Sequence, residues 1–114
     1  MKIEINDYRK IFAVQEEFHY SFPDFKLEFY QKQSIHGGPV IRKLLKSSTK
    51  TLAECRATHN VGFISVPPGT TVGELKHSFE DEFGLEIDIY KNSVKNTLDG
   101  SEMKESMILE KQTT

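Results

Sequence analysis

The chain has no tryptophan and only one cysteine, Cys55. A single thiol closes no internal disulfide, so the fold must be held by its core, and a reducing, cytoplasmic setting is expected. No apolar run approaches the roughly 18 residues a membrane-spanning helix requires. The opening MKIEINDY lacks the apolar segment of a secretory signal. The expectation is a soluble chain without a membrane partner. An excess of one charge is also missing: 15 Lys and Arg face 17 Asp and Glu, a net −2. That balance excludes a broadly basic nucleic-acid binder but leaves room for a local patch. At 114 residues the chain is long enough for one domain with a real core.

What the sequence does contain is an echo. Residues 79–91, FEDEFGLEIDIYK, repeat the pattern of residues 18–32, FHYSFPDFKLEFYQK. At an offset of 61, Ile3, Ile5, Ile11, Val14, Phe18 and Phe22 match Ile64, Val66, Val72, Leu75, Phe79 and Phe83. Past the helix one residue is lost, where Pro23 and Asp24 stand against the single Gly84. At an offset of 60, Phe25, Leu27, Phe29 and Tyr30 then match Leu85, Ile87, Ile89 and Tyr90. The shared periodicity runs 2, then 3.6, then 2, the order strand, helix, strand. We read residues 2–32 and 63–91 as equivalent halves of one duplicated domain, 1–114. Residues 33–60 are an irregular connection between them, and 110–114 a frayed end.

Taken in order, residues 2–5 alternate as a short strand. Asn6 or Asp7 is expected to cap a helix over 8–21, with Tyr8, Phe12 and Ala13 widening its apolar stripe. Pro23 ends that helix, and 25–32 form the second strand. Pro39 suits the start of an edge strand over 39–45. Thr51 and Glu54 have capping-box spacing for a short helix over 51–59. Residues 63–66 form the strand matching the first, and Pro67-Pro68-Gly69 forces a turn. Thr71 and Glu74 repeat the capping pattern ahead of the second stripe, and Gly84 supplies its stop. Residues 85–91 make the strongest strand. A further strand at 93–98, a turn at Asp99-Gly100 and an apolar cluster at 107–109 follow.

Two tandem β-α-β units lead to a ferredoxin-like α+β sandwich, one four-stranded antiparallel sheet with both helices on one face. The long connection at 33–60 counts against that fold. There is an alternative. The stretch from Val66 through Pro67-Pro68-Gly69 and Thr71 to Lys76, with Phe79, Asp81, Gly84 and the later Leu98-Asp99-Gly100, resembles ubiquitin-like β-grasp proteins. The resemblance covers under half the chain and implies a fold only, because the terminal Gly-Gly used for conjugation is not in the sequence.

Candidate chemistry is sparse. Cys55 and His59, spaced i, i+4, would share a face of a helix as metal ligands or as a thiol and its base. No second ligand pair completes a site, and the bland reading is a packed thiol beside a surface imidazole. His36-Gly37-Gly38 lacks the Lys and Ser or Thr of a phosphate cradle. The expectation is no catalytic residue, cofactor or metal. Lys32, Arg42, Lys43, Lys46, Lys50 and Arg56 make the connection basic, whereas Glu74, Glu80, Asp81, Glu82, Glu86 and Asp88 make the second half acidic. This asymmetry serves an acidic partner, head-to-tail self-contact or plain intramolecular pairing. Tyr30 and Tyr90, at matched positions on the outward sheet face, are candidate anchors for a protein partner or a homodimer. Arg42, Lys43, Lys46 and Lys50 complete the candidate interaction set. Nucleic acid bound through 42–56 is the alternative, disfavoured on the sheet face by its four carboxylates. The sequence therefore points to a protein-interaction or assembly module. A minor activity at Cys55 and His59 is a further alternative.

Overall fold

The computed structural model describes residues 1–34, 37–45, 49–91 and 101–102. The expectations for 93–98, Asp99-Gly100, 107–109 and 110–114 lie outside these residues, as do His36 and Lys46.

The elements are β1 (Lys2–Ile5), α1 (Ile11–Ser21), β2 (Phe25–Ser34), β3 (Val40–Leu44), a 3-10 turn (Leu52–Cys55), β4 (Gly62–Ser65), α2 (Val72–His77) with a π-helical continuation (Ser78–Glu82), β5 (Glu86–Lys91) and β6 (Ser101–Glu102). The domain is thus α+β, with two helices and two antiparallel sheets. The single four-stranded sheet expected of a ferredoxin-like sandwich is not what forms. Among the described residues β1 pairs only with β4 as a ribbon, and a second sheet has the order β3-β2-β5-β6. Alternation along a strand determines which face is buried but not which strand lies beside it.

The pairing follows the echo. β1 and β4 run antiparallel with Ile3 opposite Ile64. β2 and β5 run antiparallel with Glu28 opposite Asp88. Each ladder therefore sets one residue opposite its own counterpart, at the offsets of 61 and 60 read from the sequence. All nine matched apolar pairs, from Ile3 and Ile64 to Phe29 and Ile89, are buried. Only Leu45, Leu52 and Cys55 join them in the described core. Phe29 of the first half meets Phe79 of the second edge to face, at 5.9 Å between ring centroids, a geometry that suits the aromatic quadrupole.

Local stops and starts explain the boundaries. Asn6 accepts from the amides of Tyr8 and Arg9 at 2.9 and 3.0 Å. It closes a turn rather than capping α1, which begins at Ile11 after Lys10. Tyr8 consequently stands in solvent and Phe12 is partly exposed, so neither widens the buried stripe as the sequence led us to expect. α2 has the full box: the Glu74 amide donates to Thr71 Oγ1 at 3.1 Å, and the Glu74 carboxylate accepts from the Thr71 amide at 3.4 Å. The helical run ends at Gly84, with φ +67°. There the Leu85 amide reaches the Phe79 carbonyl at 2.9 Å.

The connection does more than span the halves. Ile11 donates to the Lys50 carbonyl at 2.9 Å and Leu52 to the Arg9 carbonyl at 2.8 Å. These bonds seat Leu52 in the core. The Arg56 side chain is fully buried. It donates to the Phe83 carbonyl at 3.0 Å and to Asp7 at 2.9 Å. One guanidinium thus joins the entry of α1 to the C-terminal end of the α2 run, where a cation is favoured.

Phe18→Ala and Phe79→Ala are each expected to cost about 3–5 kcal/mol in urea denaturation, the range for emptying a buried aromatic site. Gly84→Ala should cost at least roughly 1–2 kcal/mol from the left-handed backbone. A Cβ there would also lie 2.5 Å from Thr58 Oγ1. Retained stability in all three variants would contradict this packing.

Candidate functional site

The densest polar cluster lies on the outward face of the second sheet. Strand alternation turns Leu27, Phe29, Ile87 and Ile89 into the core, so Glu28, Tyr30, Asp88 and Tyr90 must face away from it. The Tyr30 and Tyr90 hydroxyls hydrogen-bond to each other across the ladder. Arg42 of β3 stacks its guanidinium 4.2 Å from the centre of the Tyr30 ring. The same Arg42 donates to Asp88 at 2.6 Å and pairs with Glu86 at 3.0 Å. Lys76 of α2 lies 2.8 Å from the other Asp88 oxygen.

Asp88 is the centre of this cluster, and it is 1% exposed. A buried carboxylate is tolerable only when cations or donors replace its water. Burial pushes its pKa up, but Lys76 and Arg42 outweigh burial and hold it below the ordinary carboxylate value. The Tyr30 phenol is pushed well up, first by burial, then by the Tyr90 hydroxyl and the Asp88 carboxylate. Tyr30 is not poised to ionise near neutral pH. The cluster is a neutralised network tying β3 and α2 to the β2–β5 ladder.

The candidate residues thus separate. Tyr30, Tyr90 and Arg42 come together, and Arg42 is committed to intramolecular partners. Lys43 is exposed on β3. The Lys50 carbonyl anchors the start of α1, and Lys46 is outside the described residues. The charge asymmetry of the sequence is partly consumed within the molecule. Lys32 lies 3.7 Å from Glu80 and 4.0 Å from Glu86, while Arg42 holds Glu86 and Asp88.

Cys55 and His59 do not share a helix. The expected helix over 51–59 is a 3-10 turn ending at Cys55, after which Arg56 is extended. The Cys55 thiol donates to the Thr51 carbonyl at 3.2 Å. Burial raises its pKa, with Lys50 opposing weakly, so it lacks the thiolate character of a nucleophile. His59 pairs with Asp7 at 2.8 Å. Asp7 is pushed up by desolvation but held below its ordinary value by His59 and Arg56. Among the described residues no three His, Cys, Asp or Glu side chains converge as metal ligands. A cleft of about 530 Å³ opens nearby, lined in part by Tyr30, Lys32, Cys55, Arg56 and Glu86. Sequence reasoning missed Lys76 and Asp88 as partners. Alternation put Asp88 on the outward face of its strand, but no signal in the sequence marked Lys76 as its partner.

Among the described residues no helix is long and apolar enough to cross a membrane. No protein-family model matches the chain, and no curated protein or solved structure matches it significantly.

Asp88→Asn should cost about 1.5–3 kcal/mol at pH 7, the range for hydrogen bonds to charged groups, and toward the lower end because Arg42 is 41% exposed. The pH dependence has a definite sign. A depressed folded pKa gives stability that is present above the unfolded value of 3.8 and lost as pH falls through the folded one. Urea titrations between pH 7 and pH 2 should show a shallower acid loss in Asp88→Asn than in the wild type; parallel curves would contradict the network. Separately, native Cys55 should react with a thiol reagent at neutral pH far more slowly than in urea-unfolded chain. Equal rates would refute its burial.

Proposed function

We propose that the chain is a non-catalytic protein-interaction module built from a duplicated β-α-β unit. The observation that carries the interaction reading is the exposed apolar pair on β3. Val40 is 63% and Ile41 45% exposed, on a strand that is terminal in its sheet among the described residues. A bare strand edge with apolar side chains is a template for another chain. The duplication is supported by the two ladders that set counterparts opposite each other and by the burial of every matched apolar pair.

Protein is favoured over nucleic acid because the cations nearest the tyrosines already hold carboxylates. Arg42 is spent on Asp88 and Glu86, and Arg56 on Asp7 and Phe83. Phosphates approaching Tyr30 and Tyr90 would also meet Glu28 and Glu86. The double variant Val40→Ser/Ile41→Ser tests the reading in two ways, by sedimentation mass and by affinity capture from lysate. The expected result is a wild-type assembly or captured set that the variant loses while its far-UV spectrum is unchanged. Identical mass and identical capture would overturn it.

A further inference from the structure

Which backbone groups of β3 face outward follows from one hydrogen bond. The Leu45 amide donates to the Phe29 carbonyl at 2.9 Å, and Leu44 stands opposite Tyr30 in the ladder. Antiparallel pairing alternates, so Lys43 and Ile41 also bond to β2. The N–H and C=O groups of Val40, Arg42 and Leu44 then point to the outer edge, which no other strand among the described residues pairs. Beyond Tyr30, β2 pairs with β3 but has no β5 residue opposite it, so the far part of this hairpin extends past the sheet. Residues 37–43 are all exposed.

The sequence that contains this edge carries charge of one sign. From 29 to 53 the sequence carries Lys32, Arg42, Lys43, Lys46 and Lys50 and no Asp or Glu. Lys32 and Arg42 turn toward the carboxylates of the sheet. Lys43 projects from the opposite face of β3, beside Ile41. A second copy of β3 is a poor occupant: antiparallel self-pairing centred on Arg42 would set Arg42 against Arg42, and like charges directly opposite are destabilising. An extended segment that alternates carboxylates with apolar residues sets its acids on the face of Lys43 and its apolar residues on the face of Val40.

Resting on the module reading above, we propose that the outer edge of β3 takes an acidic, extended segment of a partner protein as an added strand, with Val40, Arg42 and Leu44 supplying the backbone bonds and Lys43 selecting for acid. The partner's apolar side chains lie against Val40 on one face of the widened sheet, and its carboxylates against Lys43 on the other.

The test uses the full chain, fluorescently labelled, on arrays of ten-residue peptides alternating Glu or Asp with Val, Ile or Phe. A matched array carries Lys or Arg in place of the acids, and a 20-nucleotide single-stranded DNA serves as the third probe. The wild type is expected to bind the acidic array, more weakly as salt rises. Lys43→Glu should weaken acidic binding about tenfold and shift preference to the basic array. Val40→Pro removes an outward donor without touching the β2 ladder, and should abolish binding of either array with the far-UV spectrum intact. A blank acidic array, binding indifferent to both variants, or binding of DNA alone would each overturn the proposal. If capture in lysate depends on Val40 and Ile41 while the acidic array is blank, the acidic partner falls and the module reading stands. If capture is also indifferent to them, both fall.

Discussion

Everything in this fold depends on two amphipathic halves having no way to bury their apolar faces except against each other. Among the described residues β1 has only β4 as its partner, and β2 meets β5 from Phe25 to Tyr30. Phe29 from one half packs on Phe79 from the other. With neither disulfide nor tryptophan, burial of these aliphatic and phenylalanine side chains is the dominant favourable term. A helix and strands taken from either half alone would leave a ladder edge and an apolar face in water.

Once the halves close, the outward sheet face must solve an electrostatic problem that the core creates. Glu28 and Asp88 stand opposite each other in the β2–β5 ladder, and Asp88 ends up buried. The solution draws on elements distant in sequence, Arg42 from β3 and Lys76 from α2. Arg42 therefore does two things: it offsets a buried carboxylate and holds the base of the β2–β3 hairpin against the sheet through Tyr30. The outer part of the hairpin, including Val40, Ile41 and Lys43, is then presented from a fixed base. Rigid presentation of an extended edge lowers the ordering cost of adding a strand to it. The connection contributes equally to order at the other end, where Arg56 bridges Asp7 and Phe83.

Much of this was legible in the sequence, and the reason is periodicity. The list of buried residues came directly from the matched stripes, because burial is a property of each residue's phase within its own element. The α2 capping box and the Gly84 stop were legible because caps are local chemistry. Strand partnership was not, since Ile3 would be equally buried beside any neighbour. The start of α1 was misplaced because Asn6 satisfies amides of a turn as readily as those of a helix. Cys55 and His59 looked like a pair only while a helix was assumed, and the chain leaves helical geometry at Arg56. The Lys76–Asp88 contact joins an α-helix to a strand across twelve residues of sequence, and no spacing rule relates them.

Native-state hydrogen exchange tests most directly whether the two halves share one core and open together. The account predicts that the slowest amides of β1, β4, β2 and β5, around Ile3, Ile64, Glu28 and Asp88, exchange with one common opening free energy, and that this value falls equally in all four strands when Phe79 is cut back to alanine. Protection that divides by half, with β1 and β2 unaffected by a substitution in α2's continuation, would contradict it.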